Sequence, residues 1–294
     1  MIAGFILSAY AIVANDSLQT LGTFLSANEE RPWWILWLYT SIILASIFIA
    51  GWYINQGDVV PPLAILILTT WGIPVSTTFL VLTVFAPQSL DEMLVKSAWG
   101  YAIAVIVGLV IYRIIYQLEN FFLETVNKEP QKIWVVLQWL STGFLWSQWL
   151  MQDFANIFAY LPRKLGATWL VLSLTVMLLL QTIIFINHGG QIEKIVTSKT
   201  NAHDLRSATI INLIYGLILL FFVSYNHIPM STTWVFLGLL GGREISLTLT
   251  RENPNLAATG KLVLGDALKA FIGMIVSVAI ALALPLIAQK INYL

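Results

Sequence analysis

An apolar run broken in the same way twice constrains this chain more than any other feature. Ile73–Pro74–Val75–Ser76–Thr77–Thr78 returns as Ile228–Pro229–Met230–Ser231–Thr232–Thr233. In each copy a proline stops a hydrophobic segment and three hydroxyl side chains restart it. Proline supplies no N–H and its ring clashes with the preceding turn, so each copy is expected to break a helix. A second pattern also occurs twice, as Asn15–Asp16–Ser17–Leu18–Gln19 and as Gln152–Asp153–Phe154–Ala155–Asn156. Both place an amide, an Asp and a second amide within an apolar stretch. Two motifs repeating together in the same order point to an internal duplication.

The solvent for such a chain follows from its composition. Of 294 residues, 58% are hydrophobic and 10% charged, with a mean hydropathy of +0.81. Soluble domains carry roughly 25% charged residues. The expected class is therefore an all-α polytopic membrane protein with the lipid bilayer as its main partner. Cysteine is absent, which removes disulfides, thiol catalysis and cysteine metal sites. The 15 basic and 15 acidic side chains balance, so nucleic acid is not an expected partner. The first residues lack the basic region of a cleavable signal. His188, His203 and His227 have no zinc-type spacing, and no nucleophile–base pair stands out. Neither an enzyme nor a tightly bound metal or cofactor is expected.

The apolar runs divide into two halves of matching order. Residues 2–25 form a span interrupted by Asn15–Asp16, and 33–54 a clean span opened by Trp33, Trp34 and Trp37. Residues 61–85 are broken at Gly72–Ile73–Pro74 into arms of about 11 residues, too short to cross a core of about 30 Å at 1.5 Å per residue. They are expected to form a re-entrant helical hairpin. Residues 94–118 close the first half, and the polar stretch 119–132 is expected to be a linker. The second half repeats the order: 133–160 interrupted by Gln152–Asp153, a clean span at 169–187, a second hairpin at 207–241 broken before Pro229, a loop at 242–260, and a closing span at 262–291. The stretch 207–225 is itself long enough to span. The expected units are an N-terminal repeat, 1–118, and a C-terminal repeat, 133–294. With hairpins that return to the side they enter, each half crosses an odd number of times. The second half is then inverted relative to the first, and both use discontinuous helices, as in many secondary transporters. One side collects nine basic residues (Arg31, Lys128, Lys132, Lys194, Lys199, Arg206, Arg243, Arg251, Lys261) against four on the other (Lys96, Arg163, Lys164, Lys290). The richer side is expected to be cytoplasmic, which leaves both termini external in a cell inner or plasma membrane.

The repeated motifs carry the chemistry. An Asp inside a membrane helix costs about 2.5–3.5 kcal/mol on insertion scales, and it marks a functional position by default. Asn15, Asp16, Gln152 and Asp153 offer the carboxylate and carbonyl oxygens that hard cations such as Na⁺ prefer. The amides of Gln19 and Asn156 also offer N–H donors to an anion. Ser76 and Ser231 occupy N-cap positions, and the positive end of each following helix is suited to an oxyanion. Asp266 and Lys269, three positions apart, read as a helix-surface ion pair.

Together these motifs resemble the inorganic phosphate transporter (PiT) family of sodium- or proton-coupled phosphate permeases. That family has a Gly–Ala–Asn–Asp–x–x–Asn and a Pro–x–Ser–Thr–Thr–His signature in each half. Ala14–Asn15–Asp16 matches the first with Gln19 in place of Asn, and Gln152–Asp153–Phe154–Ala155–Asn156 matches it with Gln in place of the first Asn. Both Ser–Thr–Thr triplets match, with Phe79 and Trp234 where the family has His. The resemblance implies a cation-coupled secondary transporter of inorganic phosphate or a similar small oxyanion. Ser76, Thr77, Thr78, Ser231, Thr232, Thr233, Gln19 and Asn156 would bind substrate. Asn15, Asp16, Gln152 and Asp153 would bind the coupling cation, Na⁺ where it is sodium. A homodimer is expected by analogy with transporters of this build. A sulfate permease, a channel-like facilitator of the same fold, and a non-transporting membrane subunit or receptor remain alternatives.

Overall fold

A run of apolar residues with no hydrophobic stripe cannot choose a buried face, so it buries all round or meets lipid. Such runs set this architecture. The computed structural model describes residues 5, 9, 13, 17–54, 90–125, 131–158, 166–187, 205–226, 231–250 and 255–291, and every regular element among them is a helix. In chain order these are α1 (Ser17–Ala27), α2 (Trp33–Ile54), α3 (Leu90–Thr125), α4 (Gln131–Phe158), α5 (Ala167–Ile186), α6 (Leu205–Asn226), α7 (Thr232–Leu249) and α8 (Leu256–Ile291).

Two kinds of helix result. Four segments are long and apolar enough to cross a membrane: Trp33–Ala50 in α2, Leu90–Ile114 in α3, Ala167–Ile186 in α5 and Leu256–Ala279 in α8. Only 22–28% of each is buried. Their outward faces carry Ile42, Ile106, Leu179 and Leu264, an apolar surface that water would not tolerate and lipid accepts. The described chain is that of a multi-pass membrane protein. The other helices are more buried and hold many of the buried polar side chains, among them Thr23 on α1, Gln138 and Thr142 on α4, Asn212 on α6, and Ser231 to Thr233 at the start of α7.

Small residues decide how the helices meet. A Cβ on Gly238 would fall 2.5 Å from the Tyr101 carbonyl oxygen, and one on Gly108 2.7 Å from that of Leu239. A Cβ on Gly242 would strike the Val105 carbonyl. α3 and α7 therefore pack backbone to backbone, as small residues four apart allow in membranes. The contacts advance together, from Ser97 with Ser231 to Tyr112 with Arg243, so α3 and α7 run parallel. Thr248 with Thr259, Gly241 with Val263 and Met274 beside Trp234 make α8 antiparallel to both. On the other side of the molecule, Gly216 of α6 abuts Phe144 and Leu145 of α4, and Gly143 of α4 abuts Tyr39 and Ile43 of α2.

Several boundaries differ from the sequence expectation. Stretch 242–260, expected as a loop, begins as helix: α7 continues through Gly241–Gly242–Arg243–Glu244 to Leu249, and α8 already starts at Leu256. Glycine disfavours a helix locally by about 1 kcal/mol, and here its contact with the α3 backbone offsets that cost. Helix also occupies both ends of 119–132, as α3 reaches Thr125 and α4 begins at Gln131. The break expected near Gln152–Asp153 is absent, and α4 is continuous to Phe158. Its amide and Asp residues keep their backbone N–H groups, so nothing in them forces a break as proline does. The interruption expected before Pro229 stands: α6 ends at Asn226 and α7 begins at Thr232. Their 22 and 18 residues rise about 33 and 27 Å, so either arm approaches the thickness of a bilayer core. The first hairpin, 61–85, lies outside the described residues.

Candidate functional site

Ser231 caps α7 as its position after Pro229 suggested. Its backbone is extended (φ −71°, ψ 108°), and its Oγ accepts the Trp234 N–H at 3.4 Å. The cap is wholly inside the protein: Ser231, Thr232 and Thr233 are all buried. Two neighbouring helices hold it. The Ser231 N–H donates to Ser97 Oγ of α3 at 3.0 Å, and Tyr215 of α6 donates its hydroxyl to the Thr232 carbonyl at 3.0 Å. Trp234, the residue after the triplet, meets Tyr101 edge to face at 6.1 Å and packs against the Met93–Met274 cluster. A helix N-terminus thus opens in an apolar interior, where its dipole is poorly screened and an anion is its natural complement.

Depth along the bundle can be read from matched contacts. Asn212 donates from Nδ2 to Thr142 Oγ1 at 2.8 Å, and Gly216 lies on Leu145, so α6 runs parallel to α4 about 70 positions later. Trp149 is then level with about Leu219, and Asp153 with about Val223. Tyr215 touches Thr232 through its hydroxyl and Phe236 at a ring distance of 5.7 Å, which sets the start of α7 near the level of Tyr215. Asp153 and the start of α7 are therefore about two helical turns apart in depth, roughly 12 Å. α1 converges on the same level. Thr23 donates to Asn212 Oδ1 at 2.7 Å and Asn28 donates to Gln138 Oε1 at 2.9 Å, so α1 is antiparallel to α4. Carried back to Ser17, that register puts the start of α1 level with Trp146 to Trp149.

Of the residues singled out in the sequence, Ser231, Thr232 and Thr233 start α7, Gln152, Asp153 and Asn156 lie on the last two turns of α4, and Gln19 lies in the first turn of α1. Asn15, Asp16, Ser76, Thr77 and Thr78 lie outside the described residues.

The structure adds groups that no motif marked. Ser97 and Tyr215 are isolated polar residues in apolar helices, and only their contacts with α7 give them a role. Trp146 donates its Nε1–H to the Thr40 carbonyl at 3.1 Å and stacks on Trp149, with centroids 5.1 Å apart and planes 3° from parallel. Farther along α7, Arg243 is buried, donates to Glu244 Oε1 at 2.8 Å and lies 5.6 Å over the Tyr112 ring. A cavity of about 320 Å³ is lined by residues of α7 and α8, with Glu244, Asp266 and Lys269 set among apolar walls. Lys269 Nζ is 3.9 Å from Asp266 Oδ1, the ion pair their spacing suggested. No group of three or more His, Asp or Glu with metal-holding geometry occurs among the described residues.

The described residues define a helical, multi-pass membrane protein with a buried helix start among its inner helices. No family model matches the chain, and neither a curated protein nor a solved structure matches it.

Proposed function

We propose that this protein is a cation-coupled secondary transporter of inorganic phosphate or a similar small oxyanion, built as an inverted repeat and distantly related to the inorganic phosphate transporter family. The observation that carries the reading is the convergence of polar starts and ends at one depth. The buried N-terminus of α7, the first turn of α1 and the Gln152–Asp153 end of α4 lie within about two turns of one another by helix register. An anion held at Ser231, Thr232 and Thr233 meets donors and a positive dipole end, while Asp153 and Asp16 supply the charge for a coupling cation. Two directional relationships support inversion. α1, which starts just after Asn15–Asp16 in the sequence, and α4, which carries Gln152–Asp153, run antiparallel, and so do α3 and α8, which close the two halves. In this reading Ser76, Thr77 and Thr78 complete the anion site from the first half, and both termini face outward.

Reconstitution tests the reading directly. Purified protein in liposomes should take up radiolabelled phosphate or sulfate when an inward sodium or proton gradient is imposed, and uptake should collapse with the gradient. Absence of both uptake and binding across these anions rejects the transporter assignment.

A further inference from the structure

The Trp149 indole is buried completely, and its Nε1–H has no hydrogen-bond partner among the described residues. Two other indoles of the same helix are satisfied, Trp146 by the Thr40 carbonyl and Trp139 by Asn28 Oδ1 at 3.2 Å. Trp37 Nε1 on α2 is likewise unpartnered among the described residues, but it lies near the start of its helix and away from the Asp153 end of α4. A donor left unpaired in an apolar interior is costly, so the Trp149 N–H calls for a partner. Its surroundings indicate which kind. Trp149 lies one helical turn before Asp153 on α4 and, by helix register, about one turn in depth from the capped start of α7. Its face is held by the parallel stack on Trp146, whose own ring is fixed by Thr40. An indole has one polar group, a donor, and no acceptor. Through that N–H it can serve an anion and not a cation, and one ring face is already taken by the stack on Trp146.

We propose that Trp149 is an anion-binding residue of the transport site, donating its indole N–H to an oxygen of the bound oxyanion. It stands outside both repeated motifs, and no counterpart is needed in the first half, where the matching positions hold no tryptophan: four places before Asp16 is Ile12. The duplicated cation and hydroxyl elements would then be joined by an asymmetric donor contributed by the second half alone. This inference rests on the transport reading above.

The test combines transport with a spectroscopic readout. In the wild-type protein, the ¹⁵N–¹H indole resonance of Trp149, assigned by its loss in Trp149→Phe, should move downfield on addition of phosphate or sulfate and stay put with chloride. Trp149→Phe keeps an aromatic ring for the stack, and should raise KM for the transported anion about ten- to hundredfold, as expected for loss of a hydrogen bond to a charged group, while the cation dependence is kept. If wild-type protein transports or binds the anion and its Trp149 resonance does not move, the inference is wrong even where the variant fails to fold. An unchanged KM in folded Trp149→Phe overturns it equally. If wild type neither binds nor transports any of these anions, the underlying transport reading fails, and this inference with it.

Discussion

The backbone N–H of Ser231 donates to Ser97 Oγ across 3.0 Å, joining the first residue before α7 to the second turn of α3. Ser97 lies five positions beyond Glu92, whose exposed carboxylate pairs with Lys96. That is about 8 Å of helical rise inside the charged end of α3. The junction therefore holds a helix start below the surface, and its hydrogen bonds are worth testing one by one.

Ser97→Ala should destabilise the protein by about 1–2 kcal/mol, because it strands a buried N–H. Ser231→Ala should cost about 1 kcal/mol through loss of the cap. The double variant should cost no more than the sum of the two. Thermal or denaturant unfolding in detergent measures each, and a neutral Ser97→Ala would show that the bond contributes nothing.

Glycine substitutions should divide sharply. Gly238→Val and Gly242→Val push side-chain carbon into the α3 backbone and should each destabilise by several kcal/mol, at or above the usual range of overpacking. Gly265→Ala has nothing within 4 Å of the new Cβ, and in a helix it should be neutral or stabilising by up to about 1 kcal/mol. Comparing their unfolding midpoints checks the close approach of α3 and α7.

Asn212→Ala removes the amide that takes the Thr23 hydroxyl and donates to Thr142. Interhelical hydrogen bonds in membrane proteins average about 0.6 kcal/mol and reach about 1.7, so the loss of both should cost roughly 1–3 kcal/mol. A double-mutant cycle with Thr142→Val should show coupling. Additive effects would mean that Asn212 acts by packing alone.

Asp153→Asn should keep the fold and abolish gradient-driven uptake, since the amide preserves size and removes the charge that a coupling cation needs. Equal unfolding midpoints alongside lost uptake are the expected pair of results. Coupled uptake at the wild-type rate would remove Asp153 from the cation site.

The ion pair on α8 should behave as a unit. Lys269→Met takes an ammonium from 3.9 Å beside Asp266 within an apolar span, and should destabilise the protein. Adding Asp266→Asn should restore part of the loss, because lone charges in membranes cost more than matched or absent ones. Unfolding of the three variants in lipid nanodiscs measures the coupling.

Local chemistry alone sufficed for much of this molecule. The spans of α2 and α5 follow from unbroken apolar runs, the stop before Pro229 from proline's missing N–H, the cap at Ser231 from its hydroxyl, and the Asp266–Lys269 pair from helical spacing. These depend on neighbours in the chain, so the chain order contains them. The continuation of α7 through Gly241 and Gly242 depends instead on α3, because only the backbone contact with Val105 offsets the glycine penalty. The unbroken course of α4 through Asp153 was likewise hidden, since an amide and a carboxylate are compatible with either a helix or a break until packing chooses. Ser97 and Tyr215 had no pattern to mark them, and their role exists only where α3 and α6 meet the start of α7. The relative depth of α1, α4 and α6 is a matter of helix register between distant segments, set by Gly216 on Leu145 and by Thr23, Asn212 and Thr142 in one hydrogen-bonded chain.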